Sequence, residues 1–176
     1  MSDQATGRSG IRVELRGSGV ANVETGLPVL DRSLERLAEY ARFDLTLEVE
    51  PGSADAEVAE AGTALGRALA APLRSEGARG YGFGLMTSSE ALANVVLEVS
   101  DKPLLVSNVD LTQARIAGLD NDVARRFLER FAEGAGLNLH VRLLNGTDSQ
   151  HVLEAIFKAL GVALAQLCRP RSRKES

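Results

Sequence analysis

Ile11, Val13 and Leu15 alternate with Arg12, Glu14 and Arg16, the period-two pattern of a strand with one buried face. Gly17-Ser18-Gly19 turns the chain, and a short strand around 20–24 predicts a hairpin with the first. Leu30, Leu34, Leu37, Ala38 and Ala41 then mark an apolar helical stripe, with Arg32, Glu35, Arg36 and Glu39 on the outer face. Phe43, Leu45, Leu47 and Val49 alternate strictly, and Pro51-Gly52 ends that strand. From about Ser53 the helical pattern returns with Val58, Ala61, Leu65 and Leu69 inward, until Pro72 and the glycines of 77–82 break it.

The second half follows the same order. Strands are predicted over 81–86, 92–100 and 104–109, the first two joined near Ser88-Ser89 and the last two turned at Asp101-Lys102-Pro103. A helix from about 121 to 135, a strand over 137–144, an Asn145-Gly146 turn and a final helix over 149–165 complete it.

Two near-identical echoes link the halves. ALGRALA at 64–70 returns as ALGVALA at 159–165, an offset of 95, and LERLAE at 34–39 returns as LERFAE at 128–133, an offset of 94. The chain therefore reads as a duplicated α+β unit, each copy laying two helices over one mostly antiparallel sheet. The boundaries are a flexible tail over 1–10, a first half over 11–77, a second half over 78–168 and a basic tail over 169–176.

Composition narrows the function classes. A hydrophobic share of 44%, a charged share of 25% and a net charge of −4 describe an ordinary globular chain with no general pull toward nucleic acid. The single cysteine, Cys168, excludes an internal disulfide. With no secretory leader in the first ten residues and no apolar run of membrane-spanning length, the expectation is a cytoplasmic protein with no membrane partner.

The two histidines, His140 and His151, both fall in the second copy. His140 belongs to the polar face of its strand. His151 and Glu154 lie three apart at a helix start, a spacing that serves either a shared metal ion or a surface hydrogen bond. Lys158, one turn further on, can meet a phosphate or pair with Glu154.

Leu139-His140-Val141-Arg142 and the run from Gln150-His151 to Lys158-Ala159 resemble imidazoleglycerol-phosphate dehydratase, whose stretches read LHIR and HHxxEAxFKA. Further matching blocks are Thr25-Gly26, Leu30-Asp31, Arg42 to Leu45, Ala64 to Gly66, Glu90 to Leu92, and Ser100 to Pro103 against the family's SGRP. The resemblance implies a ribosomal protein S5 domain 2-like fold, with two sheets enclosing a four-helix layer. It also implies a manganese-dependent hydro-lyase of histidine biosynthesis that forms trimers and commonly a 24-subunit shell, with metal sites between subunits.

Residue by residue, the family's ligand set is thinned. LDHM falls on Leu30-Asp31-Arg32-Ser33, ARHG on Ala38-Glu39-Tyr40-Ala41, DDHHTVED on residues 53–60, and the second-half histidine pair on Gln150-His151. His140, His151 and Glu154 are what the resemblance leaves as metal ligands. Glu90 is left as the acid/base of the MDEAL motif, and Lys158 and Lys102 as contacts for a substrate phosphate.

The expectation is a degenerate family member with no cofactor, or with manganese if a site survives. Such a chain forms a homo-oligomer or joins a true dehydratase, with a small phosphorylated ligand as a further partner. The alternative is an active lyase on imidazoleglycerol phosphate or a related substrate, working with one metal at the three surviving ligands.

Overall fold

In the computed structural model, which describes residues 9–109 and 123–168, the first half runs β1 (Gly10–Glu14), β2 (Ala21–Glu24), α1 (Pro28–Ala41), β3 (Asp44–Glu48) and α2 (Ala54–Ala70). The second runs β4 (Tyr81–Ser88), β5 (Ala91–Val99), β6 (Leu104–Ser107), α3 (Val123–Ala135), β7 (Leu137–Asn145) and α4 (Ser149–Cys168). The strands form two sheets, β1-β3-β2 and β4-β5-β7-β6. In each, an antiparallel pair is followed by a parallel one, so β5-β7-β6 repeats β1-β3-β2 and β4 is the addition of the second half. The sequence echoes fall on matching elements: LERLAE in α1 and LERFAE in α3, ALGRALA in α2 and ALGVALA in α4. The basic tail over 169–176 lies outside the described residues.

The expected hairpin between the first two strands does not form, because β3 lies between them, antiparallel to β1 and parallel to β2. Asp44 explains the route. Its Oδ1 accepts the backbone N–H groups of Ser18 at 2.8 Å and Val20 at 3.1 Å, while Leu45 N donates to Val20 O at 3.0 Å. The glycine-flanked segment is thus carried across the end of β3 instead of folding back on β1.

The helical stripes behave as their periodicity predicts. Leu34, Leu37, Leu65 and Leu69 are fully buried, as are Phe127, Phe131 and Phe157, each contributing about 2 kcal/mol of apolar burial. α1 opens with a proline in its first turn, where the missing N–H costs nothing. The Ser53 side chain caps α2 by accepting from Ala56 N at 3.2 Å.

The helices of the two halves pack in cross pairs, α2 with α3 and α1 with α4. Glycine makes both crossings close. A Cβ added at Gly66 would lie 2.6 Å from the Phe131 carbonyl oxygen, and one at Gly161 would lie 2.5 Å from that of Leu37. The second crossing fixes where the start of α4 sits beside α1, which positions the candidate site.

α4 also revises one reading of the sequence. It is long and apolar enough to cross a membrane by length and composition, but its Ala155, Ile156, Phe157, Leu160, Ala163 and Leu164 are buried in the core. Its hydrophobicity serves the contact with β4, β5 and α1. Cys168, at its end, has its thiol pushed up to about 11 by burial, which leaves it a protonated, unreactive side chain at neutral pH.

Candidate functional site

Where α1 meets the first turns of α4, a cleft of about 260 Å³ opens, lined by Arg32 and Arg36 on one wall and Gln150, His151 and Glu154 on the other. The tight β4–β5 connection, with Ser89 at φ 50, sets Glu90 against the loop that leads into α4. Glu90 Oε1 accepts the backbone N–H of Asp148 at 2.9 Å and of Thr147 at 3.3 Å, and Oε2 lies 2.6 Å from His151 Nδ1. Asp148 in turn caps α4, its Oδ1 accepting from Gln150 N at 2.9 Å and His151 N at 3.2 Å.

These bonds set the charges. The Asp148 N–H, with further help from His151 and Thr147, pushes the Glu90 carboxyl down to about 2. Glu90 in return raises the His151 imidazole above its ordinary value, with burial opposing it. The pair therefore favours an imidazolium held on a carboxylate, with Nε2 the ring atom left over.

Glu154, one turn along α4, is occupied from three directions. Arg36 Nε donates to Oε1 at 3.1 Å, Ser88 Oγ donates to Oε2 at 3.1 Å, and Lys158 Nζ stands 3.7 Å from Oε1. Lys158 itself donates to the Thr87 carbonyl at 3.2 Å and lies 5.4 Å above the Tyr40 ring. Its side chain is 16% exposed, and it is not among the residues that line the cleft.

The other sequence-predicted residues lie elsewhere. His140 sits on the outward face of β7, opposite the face that packs on α4, in a separate groove with Asn94, Glu98 and Arg142. One chain therefore does not bring His140 to His151 and Glu154, and among the described residues no group of three metal-ligating side chains forms. Lys102 lies beyond the end of β5 while Glu90 precedes its start, roughly 30 Å away at the usual rise per residue of a strand. Arg36, Ser88 and Asp148 were not singled out from sequence. Arg36 reads as an outer-face residue, and Ser88 meets Glu154 only because β4 packs against α4.

The family model for imidazoleglycerol-phosphate dehydratase matches residues 25–164. The dehydratase of Aromatoleum aromaticum is 40% identical over 87% of this chain and 80% of that relative. That of Trichlorobacter lovleyi is 35% identical over 97% and 91%. The chain belongs to the imidazoleglycerol-phosphate dehydratase family. Solved dehydratases carry the same fold: that of Pyrococcus furiosus superposes with a TM-score of 0.80 at 26% identity over 98% of this chain and 96% of its own. The Staphylococcus aureus structure does so with 0.84 at 24% identity, over 94% and 96%.

The dehydratase family is metal-dependent, and the side chains of this cleft do not fit a divalent ion. Both oxygens of Glu154 have protein donors, and His151 Nδ1 is taken by Glu90. Arg32, at the histidine position of LDHM, adds a cation to the same cleft. Asp55, at a histidine position of the first-half motif, pairs with Arg126 at 2.9 Å. Tyr40, at the histidine of ARHG, lies under Lys158. Two guanidinium groups beside the one surviving carboxylate oppose a second cation there.

Proposed function

We infer that this chain keeps the dehydratase family's fold and assembly without its metal-dependent dehydration, and serves histidine biosynthesis as a non-catalytic, ligand-binding or structural member in the cytoplasm. The observation that carries this reading is the state of Glu154. Its two oxygens are engaged by Arg36 at 3.1 Å and Ser88 at 3.1 Å, so the carboxylate the family offers to a metal is neutralised by the protein.

The alternative, a lyase with Glu90 as acid/base, draws on the Glu90–His151 pair. A carboxyl held at about 2 stays ionised at neutral pH and acts as an acceptor that orients His151, which makes it a poor proton donor.

The outward face of the second sheet supports assembly. Phe83 and Leu85 on its β4 edge and Leu104 and Val106 on its β6 edge are 55%, 53%, 56% and 43% exposed, apolar side chains at the two edges of the sheet that a protein contact would take out of water. A trimer-based homo-oligomer, or a mixed assembly with a catalytic dehydratase, covers them.

The test is turnover. Purified protein supplied with manganese and imidazoleglycerol phosphate is expected to release no dehydrated product above a no-enzyme control. Metal-dependent turnover that disappears in Glu154→Gln would overturn the reading.

A further inference from the structure

We propose that the cleft between α1 and α4 is a binding site for a small oxyanion, a phosphate or carboxylate group, gripped by Arg32 and Arg36 in the space the family gives to metal chemistry.

Arg32 and Arg36 are four residues apart on α1 and line the same cleft. Like charges at that spacing repel, and the two residues solve this differently. Arg36 is compensated, its NH1 2.8 Å from Glu39 Oε2 and its Nε 3.1 Å from Glu154 Oε1. Among the described residues Arg32 pairs with no carboxylate. One guanidinium thus lines the cleft without a carboxylate partner among the described residues.

The opposite wall adds donors. The Gln150 side chain lines the cleft at the first turn of α4, and His151 reaches it with its Nδ1 already satisfied by Glu90. Each Glu154 oxygen on that wall already accepts a protein donor, and the Gln150 amide can turn its NH2 toward a ligand. What a ligand meets is therefore mostly donors, which suits an acceptor-rich anion.

A guanidinium fork matches the paired oxygens of a phosphate or carboxylate. A volume of about 260 Å³ lies at the small end of ligand sites, enough for inorganic phosphate or a short carboxylic acid. Lys158, where the family resemblance puts a phosphate contact, is turned to the Thr87 carbonyl. The new site is carried by Arg32 instead.

The proposal rests on the reading above only in that the cleft holds no metal. Inorganic phosphate and succinate, titrated separately into the metal-free protein by calorimetry, read it. At least one is expected to bind saturably, and Arg32→Gln is expected to weaken that binding at least about tenfold, with Lys102→Gln and added chelator without effect. Saturation by phosphate alone or by succinate alone identifies the oxyanion class. Neither anion saturating at millimolar concentrations, Arg32→Gln binding as well as the parent, or loss on Lys158→Gln in place of Arg32→Gln would each overturn the proposal. Arg32 is exposed, so the substitution leaves the buried core unchanged, and a melting temperature equal to the parent's checks the fold. Manganese-dependent turnover would contradict the proposed function while leaving Arg32-dependent binding measurable, so the two failures are distinct.

Discussion

Arg36 of the first half and Glu154 of the second meet at 3.1 Å across the α1–α4 crossing, an ion pair that joins the duplicated units at the wall of the cleft. The pair is partly exposed, with side chains at 46% and 34%, and such pairs contribute about 1 kcal/mol or less. Arg36→Ala should accordingly lower the unfolding free energy by at most about 1 kcal/mol. A double-mutant cycle with Glu154→Gln in urea unfolding should return a coupling of the same size and sign. Additive effects would show that the contact is not energetically used.

Glu90 and His151 make stability depend on pH in two windows. Glu90 ionises at about 2 in the folded chain against an ordinary 4.5, so its contribution is complete above 4.5 and is lost as pH falls toward 2. His151 is raised above its ordinary 6.5, so its contribution is complete below 6.5 and is lost as pH rises through its folded value. Asp148 and Glu154 add to the rise on His151, while Arg32 and Arg36 line the same cleft with opposite sign. The melting temperature should fall on either side of a plateau between 4.5 and 6.5, and Glu90→Gln should flatten the alkaline side. An unchanged alkaline slope in that variant would assign it to another group.

Gly66 offers a test in which two effects oppose each other. Alanine improves helix propensity by about 1 kcal/mol, yet its Cβ would lie 2.6 Å from the Phe131 carbonyl and 2.8 Å from Ala135 N. Both are backbone atoms and cannot rotate away, and overpacking of this kind costs about 1–3 kcal/mol. Gly66→Ala should therefore destabilise the fold in chemical denaturation. A gain in stability would mean that α2 and α3 can separate at little cost.

Arg74 closes two helix ends at once. It donates to the carbonyls of Ala70 at 3.0 Å and Ala135 at 2.7 Å, groups that helices α2 and α3 leave without partners, and to that of Gly136 at 2.8 Å, which also accepts from Ser100 N. Arg74→Ala should cost roughly 1–3 kcal/mol and raise amide exchange in the last turns of both helices. Exchange confined to one helix would show that the other end has alternative partners.

Much of this architecture was legible because it follows from local period. Leu34, Leu37, Leu65 and Leu69 read as helix interiors and Leu45 and Leu47 as a strand interior, and all are buried. The pairing of β1 and β2 was not legible, since Asp44 acts on Ser18 and Val20 from 26 and 24 residues away. The same limit applies to the cleft. His151 and Glu154 were visible as a pair on one helix, but their partners Glu90 and Arg36 lie 61 and 118 residues distant, brought in by the β4–β5 turn and by α1. Spacing alone named the side chains; packing decided that they bind each other.

Metal content tests the central claim most directly. The assembled protein, loaded with excess manganese, desalted and assayed by elemental mass spectrometry, should retain far less than one ion per chain, with its melting temperature unmoved by chelator. Retention of one or more manganese ions per chain, with a melting temperature that falls on chelation, would contradict it.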